Sequence, residues 1–81
     1  MGTTRLQGIG IVPTIPNRRL KVGDILVYNY GSKATITKII KETKSGRLIA
    51  ITDDNGEKFE VKKMNRGSSV VIDKNNRFKK A

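Results

Sequence analysis

Positively charged side chains are the commonest groups in this sequence that could do chemistry, and they concentrate at its two ends. Seventeen Lys and Arg against seven Asp and Glu give a net charge of +10. Residues 1–21 and 74–81 each carry four basic residues and no acidic one, so the middle of the chain is nearly neutral. Cationic segments attract polyanions and neutralise phosphates with release of counterions. The predicted phosphate contacts in these ends are Arg18, Arg19, Lys21, Lys74, Arg77, Lys79 and Lys80. The alternative is that the two ends are solvated and serve solubility.

Two tyrosines close together form the second candidate group. Tyr28 and Tyr30 could stack on nucleic-acid bases at about 1–3 kcal/mol each, while lysines hold the sugar–phosphate backbone. The lysines expected to extend this surface are Lys33, Lys38 and Lys41 on the following strand. A further cationic stripe could be formed by Lys58, Lys62 and Lys63. Each group also has a structural alternative: the rings could pack against the N-terminal segment, and lysines on an edge strand can block aggregation.

Catalytic chemistry has little support in the residue types present. The sequence contains no histidine and no cysteine, which removes the usual general base and any thiolate metal site. Asp53 and Asp54 could hold a divalent cation, but the turn that Asn55-Gly56 favours explains them more economically. The stretch Gly8-Ile-Gly-Ile-Val12 lacks the third glycine and the following helix of a dinucleotide loop. We therefore expect a non-enzymatic protein without metal or cofactor.

The elements that must position these residues are short β-strands. Runs rich in β-branched and aromatic residues alternate with Gly- and Asn-containing turns at short spacing, which favours strands and a small all-β domain. The predicted strands cover residues 25–30, 33–44, 47–53, 57–64 and 69–73. Adjacent Ile39 and Ile40 interrupt the alternation and indicate a bulge. The sequence therefore predicts a five-stranded small barrel over residues 20–73.

The predicted core consists of the apolar residues that alternate along these strands. They are Leu20, Val22, Ile25, Val27, Ala34, Ile36, Ile40, Ile49, Ile51, Phe59, Val61, Val70 and Ile72. The flanking segments are expected to lie outside this core. Residues 1–19, rich in Gly and Pro, are predicted to form an extended, partly disordered arm, with a short edge strand over 8–12 left open. Residues 74–81 are predicted to form a flexible basic tail.

Three stretches resemble the SH3-like small β-barrels of the KOW and Tudor type. They are Leu20-Lys-Val-Gly-Asp-Ile-Leu-Val27, Gly31-Ser-Lys-Ala-Thr-Ile-Thr-Lys-Ile39 and the hairpin from Ile49 to Val61. The chain departs from that pattern at Ala34, near the place where a second glycine is expected. The resemblance implies binding of RNA or of ribosomal and transcription components. Tudor-type barrels bind methylated side chains in an aromatic cage, and two tyrosines without a tryptophan are poorly suited to form one.

Two functional hypotheses follow. The first is weakly sequence-specific binding of RNA or DNA through the basic ends and a lysine-bearing face. The second rests on a similarity of the Val-Gly-Asp and Tyr-Asn-Tyr-Gly stretches to small bacteriophage barrels. It is an inhibitor of a host protein or a sponge for a small nucleotide signal, acting as an oligomer through the apolar patch Ile9, Ile11, Val12 and Ile15. A peptide-binding adaptor is a third possibility.

Two features that the sequence lacks indicate where the protein is expected to be located. No apolar run approaches the ~20 residues of a membrane span. The lack of cysteine fits an intracellular protein. A cytoplasmic location is therefore the expectation.

Overall fold

Strand-forming residues dominate the chain, and a computed structural model describes residues 2–79 as eight strands. A single 3-10 turn at Asn17–Arg19 separates the second strand from the third. The strands are β1 Gly2–Leu6, β2 Gly10–Pro16, β3 Ile25–Val27, β4 Lys33–Glu42, β5 Gly46–Asp53, β6 Lys58–Met64, β7 Ser68–Ser69 and β8 Val71–Ile72. The predicted all-β class is confirmed.

The strands form two antiparallel sheets. One has the order β1-β2-β7, and the other has the order β6-β5-β4-β3-β8. These sheets do not close into a barrel. The predicted bulge is present in β4, where the register with β5 shifts between Ile39 and Lys41, and a second shift lies between Ile36 and Lys38. Two bulges bend this ten-residue strand.

The N-terminal segment differs most from its prediction. Residues 2–16 form a hairpin rather than a loose arm, and β2 is the central strand of its sheet. Its side chains Val12 and Ile15 are buried in the core. Because β7 pairs only with Ile15 and Pro16, β2 has a partner on one side alone at Pro13, an environment in which a strand tolerates proline.

The C-terminal segment is also held in place as far as the described residues extend. The Asp73 Oδ1 atom accepts the amide hydrogens of Asn75 and Arg77 at 2.8 and 3.2 Å. Phe78 then pairs with Ile72, and the amide of Lys79 donates to the Val71 carbonyl at 2.9 Å. Residues 74–79 thus form a turn and a bridge against β8, while Lys80 and Ala81 of the predicted tail lie outside the described part of the chain.

The core has two clusters because β3 is covered on both faces. Leu26 packs with Leu20, Ile36 and Ile49, whereas the next residue, Val27, packs with a second cluster that includes Val12. Successive strand residues point to opposite faces, so each face of β3 serves one cluster.

Three predicted core residues, Val22, Ile40 and Phe59, are exposed instead. Val22 lies in a turn, Ile40 lies at the second bulge, and Phe59 lies on an edge strand, so none of them has a layer packed over it. Leu26 and Val71 take buried positions that the alternation did not assign to the core.

Candidate anion-binding surface

One face of the five-stranded sheet carries a group of lysines. Ile49 and Ile51 of β5 point into the core, so Leu48, Ala50 and Thr52 lie on the opposite face. The register places lysines of β4 and β6 beside them: Lys38 lies opposite Ala50, Lys41 and Lys62 flank Leu48, and Lys58 lies opposite Thr52. We call Lys38, Lys41, Lys58 and Lys62 the basic face. Glu60, opposite Ala50, is the one acidic residue that the pairing adds to this face of β4–β6 in the described chain.

The Lys41–Leu48–Lys62 row is the most specific part of the basic face. These residues help to line a shallow depression of about 210 Å³. Neighbouring strands lie about 4.8 Å apart, so the Cα atoms of Lys41 and Lys62 are two strand spacings apart. The apolar side chain of Leu48 lies between the two lysines. Arg47, at the same depression, is already engaged: it pairs with Glu42 at 3.0 Å and donates to the Leu20 carbonyl at 2.5 Å. The lysines are therefore the groups available to an anion.

The two predicted stacking tyrosines lie away from the basic face. Tyr28 is 39% exposed and lines a cavity of about 400 Å³ between the two sheets. Tyr30 is largely exposed in the adjacent turn, and its hydroxyl donates to the Gln7 side chain. The amide of Gly8 also donates to the Asn29 carbonyl at 2.7 Å, so this turn contacts the N-terminal hairpin. The structure therefore does not unite the tyrosines with Lys38 and Lys41 in one surface.

Lys63, a candidate for a cationic stripe with Lys58 and Lys62, lies beside Tyr28 instead. Its Nζ atom is 5.8 Å from the centre of the Tyr28 ring, within cation–π range. Burial lowers the pKa of Lys63 and raises the pKa of Tyr28, because desolvation disfavours the charged form of each. The signal was present in the sequence, since alternation along β6 puts Phe59, Val61 and Lys63 on one side.

The predicted cations near the two ends divide into exposed and engaged groups. Arg18, Arg19 and Lys21 are exposed around the 3-10 turn, and Lys74 is exposed in the last turn. Lys79 instead contacts Asp24, a residue only 3% exposed whose Oδ2 accepts the Lys21 amide hydrogen at 2.9 Å. Lys79, predicted as a phosphate contact, therefore already has the buried carboxylate of Asp24 as its ion-pair partner.

Two further predicted phosphate contacts, Lys33 and Arg77, each have a polar partner in the structure. Lys33 donates to the Asn76 side chain at 3.2 Å. Arg77 pairs with Asp73 at 3.4 Å, and the pKa of Asp73 is lowered chiefly by the hydrogen bond from the Arg77 amide. These contacts are exposed, so a competing anion can reach both cations.

The predicted apolar patch does not form one surface. Val12 and Ile15 are buried, and only Ile9 and Ile11 of the set are exposed. The hairpin explains the division, because it turns one side of β2 toward the core.

The carboxylates near residue 53 serve a turn. The Asp53 Oδ1 atom accepts the amide hydrogens of Asn55 and Glu57, each at 2.9 Å. Within residues 2–79 there is no cluster of three or more His, Cys, Asp or Glu residues that could hold a metal ion. In the same residues, no helix has the length and apolar character required to cross a membrane.

Comparison of the chain with protein-family models, with curated proteins and with solved structures finds no match in any of the three.

Proposed function

We propose that this protein binds RNA or DNA without catalysing a reaction, using the basic face as its main contact. The observation that supports this most directly is the strand register, which gathers Lys38, Lys41, Lys58 and Lys62 on one exposed side of the sheet. Ammonium groups spaced along a sheet can follow a chain of phosphates, and the net charge of +10 attracts polyanions from a distance.

Exposed cations near the ends extend this binding in a secondary role. Arg18, Arg19, Lys21 and Lys74 are exposed, and none of them forms an ion pair with a carboxylate within residues 2–79. Lys79 is tied to Asp24 and does not take part. Phosphate contacts carry no base information, and the basic face presents lysines rather than clustered Asn or Gln, so sequence specificity is weak.

The resemblance of residues 20–73 to SH3-like barrels of the KOW type is in line with an RNA partner and remains part of this proposal. The alternative of an oligomeric inhibitor or nucleotide sponge has less support. It relied on an apolar contact patch, and Val12 and Ile15 of that patch are buried.

Fluorescence anisotropy with labelled mixed-sequence RNA and DNA tests the proposal. The double variant Lys41→Gln/Lys62→Gln removes two charges from the basic face. We expect its affinity to fall about a hundredfold or more, because each lost hydrogen bond to a charged group contributes about 1.5–3 kcal/mol and about 1.4 kcal/mol is a factor of ten. The control Lys44→Gln/Arg66→Gln removes the same charge from exposed turns outside the proposed contacts and should lose clearly less affinity.

Two results would contradict the proposal in different ways. Equal losses in both double variants would show that total charge rather than the basic face governs binding. Failure of the unaltered protein to bind either polymer at low salt would exclude nucleic acid as the partner.

A further inference from the structure

Tyr28 lines two cavities, and none of the four lysines of the basic face lines either one. The first is the cavity of about 400 Å³ between the sheets, lined by Lys63, Ser68 and Ser69 among others; we call it the polar cleft. The second, of about 380 Å³, is lined by Ala34, Ile51, Phe59 and Val61 among others; we call it the apolar groove. Each volume lies near the lower end of the range of ~300–1,000 Å³ for ligand pockets.

The position of β6 explains why this part of the sheet is open. β6 is the edge strand, so no further strand covers the inner-side residues Phe59, Val61 and Lys63. Val61 pairs with Ile49 and packs on the core, whereas Phe59 is 46% exposed. Two aromatic rings, Tyr28 and Phe59, therefore border one apolar groove and both remain partly accessible.

The polar cleft has the charge of an anion site. Lys63 is partly buried, and none of the carboxylates in residues 2–79 lies within ion-pair distance of it. No acidic residue lines the polar cleft in the described structure. A partly desolvated ammonium without a counter-charge is unfavourable, and the lowered pKa of Lys63 reports the same cost. A bound anion would reduce this cost of desolvation. The hydroxyl of Ser68, in the same cleft, could donate a hydrogen bond to that anion.

We propose that the two cavities together hold one unpaired nucleotide of a single-stranded RNA or DNA, with its base against Tyr28 and Phe59 and its phosphate at Lys63. This inference rests on the proposed function. A flat apolar base beside an anionic phosphate matches an apolar groove that adjoins a cationic cleft. The carboxylates of Asp53 and Glu60 and the ammonium of Lys33 also line the groove. Asp53 Oδ1 already accepts two amide hydrogens, and the phosphate is assigned to the other cavity, which no acidic residue of the described chain lines.

The assignment implies a preference for single strands. Stacking on an aromatic side chain requires a free face of the base, and in a duplex both faces are covered by neighbouring base pairs. The basic face contacts phosphates alone and therefore accepts either form. Any preference for single strands must therefore come from the contacts of Tyr28, Phe59 and Lys63.

Intrinsic fluorescence can report on Tyr28 directly, because the chain has two tyrosines and no tryptophan. In the variant Tyr30→Phe, Tyr28 is the sole tyrosine. We expect an oligothymidine of about 12 nucleotides to quench its emission, and a duplex of the same length to quench it far less. The matched variant Tyr28→Phe, which keeps a ring of similar size and retains only Tyr30, should show little quenching.

Affinity measurements complete the test. Lys63→Met removes the charge but keeps an apolar side chain of similar length, and it should weaken oligothymidine binding roughly tenfold. Phe59→Leu should weaken it roughly fivefold or more. The control Lys44→Met should keep its affinity nearly unchanged. Duplex affinity should be nearly unchanged in all three variants.

The outcomes separate this inference from the function on which it rests. Equal affinity for single strand and duplex, together with unchanged binding in Lys63→Met and Phe59→Leu, overturns the cleft assignment and leaves the basic face intact. Absence of binding to both nucleic acids overturns the proposed function, and this inference with it.

Discussion

At the scale of single residues, the surroundings of each cation decide whether a ligand can use it. Lys79 and Lys63 are both partly buried, but only Lys79 has a carboxylate beside it, that of Asp24. Lys79 therefore stabilises the fold, whereas Lys63 retains an unsatisfied charge next to Tyr28. The same residue type contributes to structure in one place and to a candidate site in the other.

The ionisation of Tyr28 is predicted to be displaced by its surroundings. Burial raises the pKa of Tyr28 above its ordinary value of 10.0, because the phenolate is less well solvated than in water. The folded protein then holds this proton more tightly than the unfolded chain. Stability is therefore unaffected below pH 10 and falls as the pH rises through the raised pKa of the folded state.

Ultraviolet titration of Tyr30→Phe measures this pKa through the absorbance of the phenolate. The midpoint should lie above 10.0 in buffer and return to the ordinary value in denaturing urea. A midpoint at or below 10.0 in the folded protein would contradict the burial of this ring.

At the scale of elements, β2 decides whether the N-terminal segment belongs to the domain. It pairs with β1 over residues 10–14 and with β7 at its end, and it contributes Ile15 to one core cluster and Val12 to the other. Deleting residues 1–19 would therefore remove part of both clusters rather than a separate arm. Charge substitutions test ligand binding in this protein better than truncation does.

Two isoleucines of β2 form a matched pair for testing this packing. Ile15 is 5% exposed, so Ile15→Ala should lower the free energy of unfolding by about 2–4 kcal/mol through lost burial and a cavity. Ile11 is 77% exposed, and Ile11→Ala should change the free energy of unfolding by less than about 0.5 kcal/mol. Urea denaturation measures both. Small, equal changes would mean that β2 does not pack on the core.

At the scale of the whole molecule, charge is distributed over an all-β body rather than confined to loose ends. The hairpin and the C-terminal turn bring the cations of both ends, as far as Lys79, onto the folded surface, where they add to the lysines of the basic face. The long-range attraction of a polyanion is therefore a property of the whole domain.

The salt dependence of binding should reflect this distribution. If ~5 phosphates are neutralised, the affinity for nucleic acid should fall roughly 10²- to 10³-fold between about 50 and 200 mM salt. Each lysine removed from the basic face should reduce the slope of log affinity against log salt by about 0.7–0.9. An affinity that does not change with salt would indicate an apolar partner surface.

The local pattern of residues determined a good part of this fold. Alternation along residues 47–53, the Asn55-Gly56 turn and the interruption at Ile39-Ile40 each involve neighbours in the chain, and the all-β class followed from them. The lysines of the basic face were also predictable in part, because Lys38, Lys41 and Lys62 were assigned to an exposed surface.

Only the tertiary structure decided which elements lie beside one another. The pairing of β2 with β7, the contact of Lys79 with Asp24 and the position of Lys63 beside Tyr28 join residues far apart in the chain. Local alternation shows that a side chain leaves its strand on a given face, but it does not show what covers that face. For that reason the sequence determined most of the strands after residue 20 and the total charge, and the packing of the two sheets determined which charges have partners.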